Sequence, residues 1–115
     1  MGSPIFVFRE VDRDRFEEVR NGAKVIETRA GTEKYRSIKI GDEVTFTCGN
    51  DSFSKKVTKE YHWSTIEVML IEVPLKKVML DLETVDQVRE RYASYPNYKE
   101  KIAKFGIVGF ELLQV

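Results

Sequence analysis

The sequence predicts a small α+β domain in which an antiparallel sheet of about five or six strands curls into a β-barrel with about three flanking helices. Residues 43–63 alternate apolar and polar side chains around a tight connection, which is typical of a β-hairpin with one buried face. Three segments have capping-box spacing ahead of an apolar stripe, which indicates helices. The closing segment 106–113 is apolar at both parities, as in a strand buried on both faces.

Length and composition limit the possible classes of protein. The 115 residues fit one domain, so we interpret residues 1–115 as a single unit. The 19 basic and 19 acidic residues balance, which excludes a protein that coats nucleic acid by bulk charge but not a local basic patch. One cysteine and one histidine exclude an intramolecular disulfide and a multi-histidine metal site, and no cofactor is expected. No signal peptide or membrane helix is visible, so we expect a cytoplasmic protein without a membrane partner.

The first elements follow from local patterns. Residues 4–10 contain an apolar run of β-branched and aromatic side chains, which predicts a buried strand. Residues 12–21 carry a narrow apolar stripe with Asp14 and Glu17 at capping-box spacing, which predicts a short surface helix. Asn21-Gly22 is expected to end that helix, since glycine readily adopts a positive φ.

The next strands follow from turn residues and alternation. Residues 24–29 predict a second strand, and residues 30–37 form a polar loop. The turn at residues 39–42 leads into an alternating strand over 43–48, and the chain returns through a strand that ends near Trp63.

Two further helices are predicted before the closing strand. Ser64 and Glu67 have capping-box spacing ahead of an apolar face that ends before Pro74, although this stretch is also β-branched enough to form a strand. Thr84 and Gln87 repeat the spacing, and the apolar positions that follow predict a helix over about residues 84–94.

Three motifs carry a resemblance to a known family. The first is G-x-K-x-x-E-x-R, which runs from Gly22 through Lys24 and Glu27 to Arg29. The second is the turn segment of residues 39–44, and the third is the glycine-containing closing segment of residues 104–111. Together they resemble the ASCH domain family of the PUA-like superfamily, similar to small bacterial and archaeal single-domain members, over nearly the whole chain.

The resemblance implies a small PUA-like β-barrel with a cleft beside the first motif, where single-stranded RNA or a modified nucleoside or nucleotide binds. One branch of the family hydrolyses N4-acetylcytidine, with a lysine and a threonine in the motif and a glutamate downstream. Lys24 matches that lysine, whereas Glu27 stands at the threonine position and no downstream acid is matched.

The side chains of the first motif have complementary chemistry. Arg29 offers a planar fork for phosphate or a carbonyl, Glu27 can accept a hydrogen bond from an exocyclic amine, and Lys24 can neutralise phosphate. In a regular strand Glu27 and Arg29 share one face, but Lys24 has the wrong parity. It joins them only if the chain is still turning after Gly22 or if a bulge intervenes. An ordinary ion pair between neighbouring strands is the alternative interpretation.

A local basic patch supports the same interpretation. Residues 24–39 contain five cations and two acids, and an aromatic residue lies among them in Lys34, Tyr35 and Arg36. Basic side chains interleaved with an aromatic suit single-stranded nucleic acid, although a solvated loop has the same pattern. Trp63 is a candidate for base stacking, with core packing as the alternative.

Two functions therefore remain open. In the first, the chain is a binding module that holds RNA or a nucleotide through the candidate residues Gly22, Lys24, Glu27, Arg29, Lys34, Tyr35, Arg36 and Trp63. In the second, it is an amidohydrolase of a modified nucleoside such as N4-acetylcytidine, with Lys24 as base or nucleophile and Glu27 assisting proton transfer.

Overall fold

A computed structural model describes residues 4–113. One five-stranded sheet, curled into a half-barrel, has the strand order β1-β3-β4-β5-β2. The strands are β1 Ile5–Phe8, β2 Ile26–Ala30, β3 Glu43–Cys48, β4 Asp51–Trp63 and β5 Ile107–Leu112. The predicted α+β class and the β3–β4 hairpin are confirmed.

The sheet is mixed rather than antiparallel throughout, because β1 pairs with β3 in parallel. The other pairs, β3–β4, β4–β5 and β5–β2, are antiparallel. Strands β1 and β2 are therefore the two edges of the half-barrel, and each keeps one unpaired side. The gap between these edges is where the candidate site lies.

Six α-helices accompany the sheet within residues 4–113, and a 3-10 turn, Glu10–Asp12, precedes the first of them. The helices are α1 Arg13–Arg20, α2 Glu33–Arg36, α3 Ile66–Glu72, α4 Leu75–Val78, α5 Val85–Ser94 and α6 Tyr98–Phe105. The sequence predicted α1, α3 and α5 but not the other three. Two of the missed helices, α2 and α4, have only four residues, too few for a periodic apolar stripe.

Two apolar cores lie on opposite faces of the sheet. The first packs phenylalanines of β1, α1, β3 and β5, with Phe6 at its centre. The second packs α3, α4, α5 and α6 around Trp63 and Tyr92. The expectation of a buried strand at residues 4–10 holds for one face of β1 only: Phe6 and Phe8 are buried, whereas Ile5 is 45% and Val7 62% exposed at the edge of the sheet.

Of the three predicted capping boxes, one forms and two do not. The Thr84–Gln87 capping box at the start of α5 is confirmed. No side chain caps α1, because the 3-10 turn leads directly into it and places Asp14 inside the helix. At α3 the N-cap is Thr65 rather than Ser64, and its hydroxyl accepts a hydrogen bond from the Val68 amide at 3.1 Å.

Replacement of the α3 cap is expected to distinguish the two assignments. Thr65→Ala should lower the free energy of unfolding by about 1 kcal/mol, since the Val68 amide loses its acceptor. Ser64→Ala, the matched control, should change it by less than about 0.5 kcal/mol. Urea unfolding of both variants measures the difference, and equal losses would contradict the assignment of Thr65.

Candidate functional site

The Lys24 side chain can contact Glu27 because strand β2 begins later than the sequence predicts. Helix α1 ends at Arg20, Gly22 has a φ of 86°, and the Lys24 amide donates to Glu18 O at 2.9 Å. Strand β2 starts only at Ile26, so Lys24 lies in irregular backbone where strand parity does not apply. Its Nζ donates to Glu27 Oε1 at 3.0 Å.

Glu27 connects the two cations of the motif. Its Oε1 atom also accepts from the Thr28 amide at 2.9 Å, and its Oε2 atom lies 3.4 Å from Arg29 Nη2. Lys24 and Glu27 are each 3% exposed, and the Arg29 side chain is 14% exposed. The three side chains that the sequence singled out thus form one buried cluster, here called the Lys24–Glu27–Arg29 cluster.

Aromatic rings surround the guanidinium of Arg29. Its Cζ lies 4.7 Å from the ring centroid of Phe8, 5.1 Å from that of Phe6 and 5.9 Å from that of Tyr35. Ring faces attract a cation, and desolvation strengthens that attraction. Arg29 Nη1 also approaches Val7 O at 3.4 Å, across the gap between the edge strands. The ring contacts therefore help to hold a buried cation that shares its one carboxylate with Lys24.

The charge of the cluster is unbalanced. Burial tends to raise the pKa of the Glu27 carboxyl, but the charges of Lys24 and Arg29 and the hydrogen bonds it accepts outweigh burial, so its pKa lies below the usual value. Glu27 is therefore ionised at neutral pH. Two cations and one anion leave an excess of one positive charge in a largely desolvated place.

The cluster forms the floor of a cavity of about 240 Å³ between β1 and β2. Its aromatic walls come from Phe8, Tyr92, Tyr95 and Tyr98, and its polar mouth from Arg9, Asp12 and Arg15. Drug-sized ligands occupy pockets of about 300–1,000 Å³, so this cavity suits a ligand the size of a nucleobase or nucleoside.

The tyrosines of the wall are neutral hydrogen-bonding groups. Burial raises the pKa of Tyr95 to about 12, and it also raises the pKa values of Tyr92 and Tyr98. The Tyr92 hydroxyl is hydrogen-bonded to the Thr28 hydroxyl beside the cluster. Tyr92 is buried in the second core, while Tyr95 and Tyr98 are half-buried, and all three line the cavity.

The cations at the mouth are already paired. Arg9 Nε lies 2.7 Å from Asp12 Oδ2, and Arg15 Nε lies 2.8 Å from Glu18 Oε1. Sequence analysis did not select these residues or the wall tyrosines. They come from separate segments of the chain, and only the approach of α1 and the α5–α6 connection to β2 brings them together.

Comparisons with known proteins support the fold and name no activity. Hypothetical protein PH0355, known from a crystal structure, is similar with a TM-score of 0.81 and 25% identity over 96% of this chain and 97% of that chain. Protein PF0455 from Pyrococcus furiosus, known from solution NMR, is similar with a TM-score of 0.67 and 26% identity over 96% of both chains. No protein-family model and no curated protein matches this sequence.

The remaining predicted site residues lie away from this cavity. Gly22 ends α1 and does not line the cavity, and Lys34 is exposed with its Nζ 5.1 Å from the Tyr35 ring centroid. Tyr35 and Arg36 line a second hollow, described below. The proposal of Trp63 as a stacking surface is wrong, because the ring is 1% exposed in the second core and its Nε1 donates to Glu72 Oε2 at 2.9 Å.

Residues 4–113 contain neither a metal-binding cluster of side chains nor a membrane-spanning helix. Among residues 4–113, no group of three or more His, Cys, Asp or Glu side chains is arranged to hold a metal ion. The helices of the same residues include none that is long and apolar enough to cross a membrane. The Lys24–Glu27–Arg29 cluster and its cavity are the candidate functional site, because three buried charged side chains converge there on the floor of a cavity.

Proposed function

We propose that the cavity between β1 and β2 binds one nucleotide of single-stranded RNA, or a free nucleoside or nucleotide. The observation that carries this proposal is the buried Lys24–Glu27–Arg29 cluster at the floor of a nucleobase-sized cavity. Buried ion pairs are weak contributors to stability, and a surplus buried cation is costly. A ligand that brings an acceptor or a negative charge relieves this cost.

The polar pattern of the floor fits the edge of a base. Glu27 Oε2 has a contact of only 3.4 Å with Arg29, so it can accept a hydrogen bond from an exocyclic amine or a ring N–H. Lys24 Nζ and the Arg29 guanidinium supply donors on either side for a ring nitrogen or a carbonyl. Adjacent donors and acceptors of this kind read the edge of a base, and the aromatic wall offers surfaces for its faces.

Direct titration tests the proposal. We expect the wild-type protein to bind at least one of cytidine, uridine, adenosine and guanosine, or the corresponding monophosphate, at low salt in isothermal titration calorimetry. Lys24→Met should weaken that binding about 10- to 100-fold, because a hydrogen bond from a charged donor is lost. Lys55→Met is the matched control, since Lys55 is also buried but its Nζ donates to Val19 O outside the cavity.

Two results would contradict the proposal. One is the absence of binding by the wild-type protein to nucleosides, nucleotides and short single-stranded RNA at low salt, where phosphate contacts are strongest. The other is unchanged affinity in Lys24→Met when thermal unfolding shows that the variant is folded.

Hydrolysis of an acylated nucleoside is the second candidate function. It is favoured by the 3.0 Å contact between Lys24 Nζ and Glu27 Oε1, which is within reach for proton transfer. The lowered pKa of Glu27 makes its carboxylate a weak base, so binding is the better-supported function. Incubation with N4-acetylcytidine and chromatography for cytidine decides between them, and turnover that persists in Lys24→Met would refute the role of Lys24.

A further inference from the structure

A second hollow of about 300 Å³ opens on the side of α2 that faces strand β4. Its floor is apolar and buried, formed by Ile38, Val108 and Phe110. Its rim carries Arg36 and Lys39 after β2 and Glu60 and His62 on β4, all exposed, so two cations face one carboxylate there. We call it the α2 groove.

Arg36 differs from every other arginine of residues 4–113, since it alone has no carboxylate within 4.0 Å. Its Nη2 atom donates instead to His62 Nε2 at 2.9 Å and to Phe105 O at 3.0 Å. These contacts hold the guanidinium at the groove but leave its charge unpaired. Lys39 has only a weak ionic contact, because its Nζ lies 3.8 Å from Glu60 Oε1 and both side chains are exposed to solvent.

Tyr35 separates the α2 groove from the cavity. It lines the groove, and the centroid of its ring lies 5.1 Å from that of Phe6 and 5.9 Å from Arg29 Cζ at the cavity floor. The two hollows are thus one side chain apart. A strand of nucleic acid that left the cavity past Tyr35 would meet Arg36 and Lys39 next.

We propose that the α2 groove binds the backbone phosphate of the nucleotide that follows the one in the cavity, so that the chain binds at least a dinucleotide of single-stranded nucleic acid. This inference rests on the proposed function. The Arg36 guanidinium keeps its Nε–H and Nη1–H donors for phosphate oxygens, and Lys39 adds a second charge. Tyr35 and the apolar floor offer contact area to the adjacent sugar or base.

The salt dependence of binding tests this role. For single strands, each phosphate contact adds about 0.7 to the slope of log K against log salt concentration. We expect Arg36→Gln/Lys39→Gln to lower that slope by about 0.7, the value for one phosphate, for a ribotetranucleotide between about 50 and 200 mM salt. Affinity for the free nucleoside, which has no phosphate, should stay unchanged.

Two further variants make the result specific. Arg20→Gln/Lys77→Gln removes the same charges from residues that line neither hollow, and it should leave the slope unchanged. Lys39→Gln alone spares the Arg36 contacts with Phe105 and His62, so it should fold normally and lower the slope by less than the double variant does. A deoxyribotetranucleotide of the same sequence shows whether the groove requires RNA or only a phosphodiester backbone.

The outcomes separate this inference from the proposed function. If the nucleoside binds to wild type but the slope for the tetranucleotide is unchanged in Arg36→Gln/Lys39→Gln, the groove is not a phosphate site and the cavity proposal stands. If the control double variant lowers the slope equally, the effect is one of overall charge and the inference is wrong. If neither nucleoside nor tetranucleotide binds to wild type, both proposals fail.

Discussion

Replacement of Glu27 by Gln is expected to destabilise the fold by about 3–5 kcal/mol. The change keeps the shape of the side chain but removes the carboxylate that contacts Lys24 Nζ at 3.0 Å and Arg29 Nη2 at 3.4 Å. Two cations then remain in a desolvated place without a counter-charge, which is a far larger cost than the loss of a surface ion pair. Urea unfolding at neutral pH measures the change.

Lys24→Met provides the contrast within the same cluster. It removes one of the two cations and leaves Glu27 balanced by Arg29, so a smaller loss of about 1–2 kcal/mol is expected. This order, with loss of the single anion worse than loss of one cation, follows from the surplus positive charge. Equal losses in the two variants, or a loss below about 1 kcal/mol for Glu27→Gln, would contradict the electrostatic description of the floor.

The Glu27 carboxylate also makes the free energy of unfolding depend on pH. The pKa of Glu27 is lower in the folded protein than in the unfolded chain, where it is about 4.3. Its stabilising contribution is therefore complete above about pH 4.3 and is lost as the pH falls through the folded value. We expect the difference in unfolding free energy between wild type and Glu27→Gln to narrow below about pH 4.3, as measured by urea unfolding at a series of pH values.

Gly106→Ala is expected to lower the unfolding free energy by about 3–5 kcal/mol and the melting temperature by at least about 10 °C. Gly106 joins α6 to β5 with φ 74° and ψ −159°, a backbone conformation that essentially only glycine adopts. A Cβ atom there would also collide with the backbone carbonyl of Trp63, which cannot rotate away. The backbone strain and the steric collision therefore both contribute to the loss of unfolding free energy.

Gly41→Ala separates these two costs. Gly41 also has a positive φ, of 94°, but no heavy atom outside residues 40–42 lies within 4 Å of the position of an added Cβ. Strain alone should cost about 1–2 kcal/mol there. Differential scanning calorimetry of both variants compares them. If Gly106→Ala is no worse than Gly41→Ala, β5 is not held against the end of β4 as described.

Part of the candidate site was predictable from the sequence, because it depends only on residues close together in the chain. Glu27 and Arg29 are two residues apart in a strand, so their shared face follows from the period of the backbone. The direction of the Lys24 side chain could not be predicted, because it depends on where β2 begins and thus on how the chain leaves Gly22. The wall of Tyr92, Tyr95 and Tyr98 could not be assigned to the site, since nothing near β2 in the sequence indicates that α5 and α6 pack there.

The sequence by itself determined the elements whose information is local. Alternation specified the β3–β4 hairpin, a reciprocal cap specified the start of α5, and continuous apolar character specified β5, because each signal acts over a few residues. Tertiary structure alone decided that β1 pairs in parallel with β3, that β1 and β2 remain unpaired edges, and that Trp63 is buried. These outcomes depend on contacts between distant segments, where burial of apolar surface outweighs local preference. The cavity exists because those two edges do not meet.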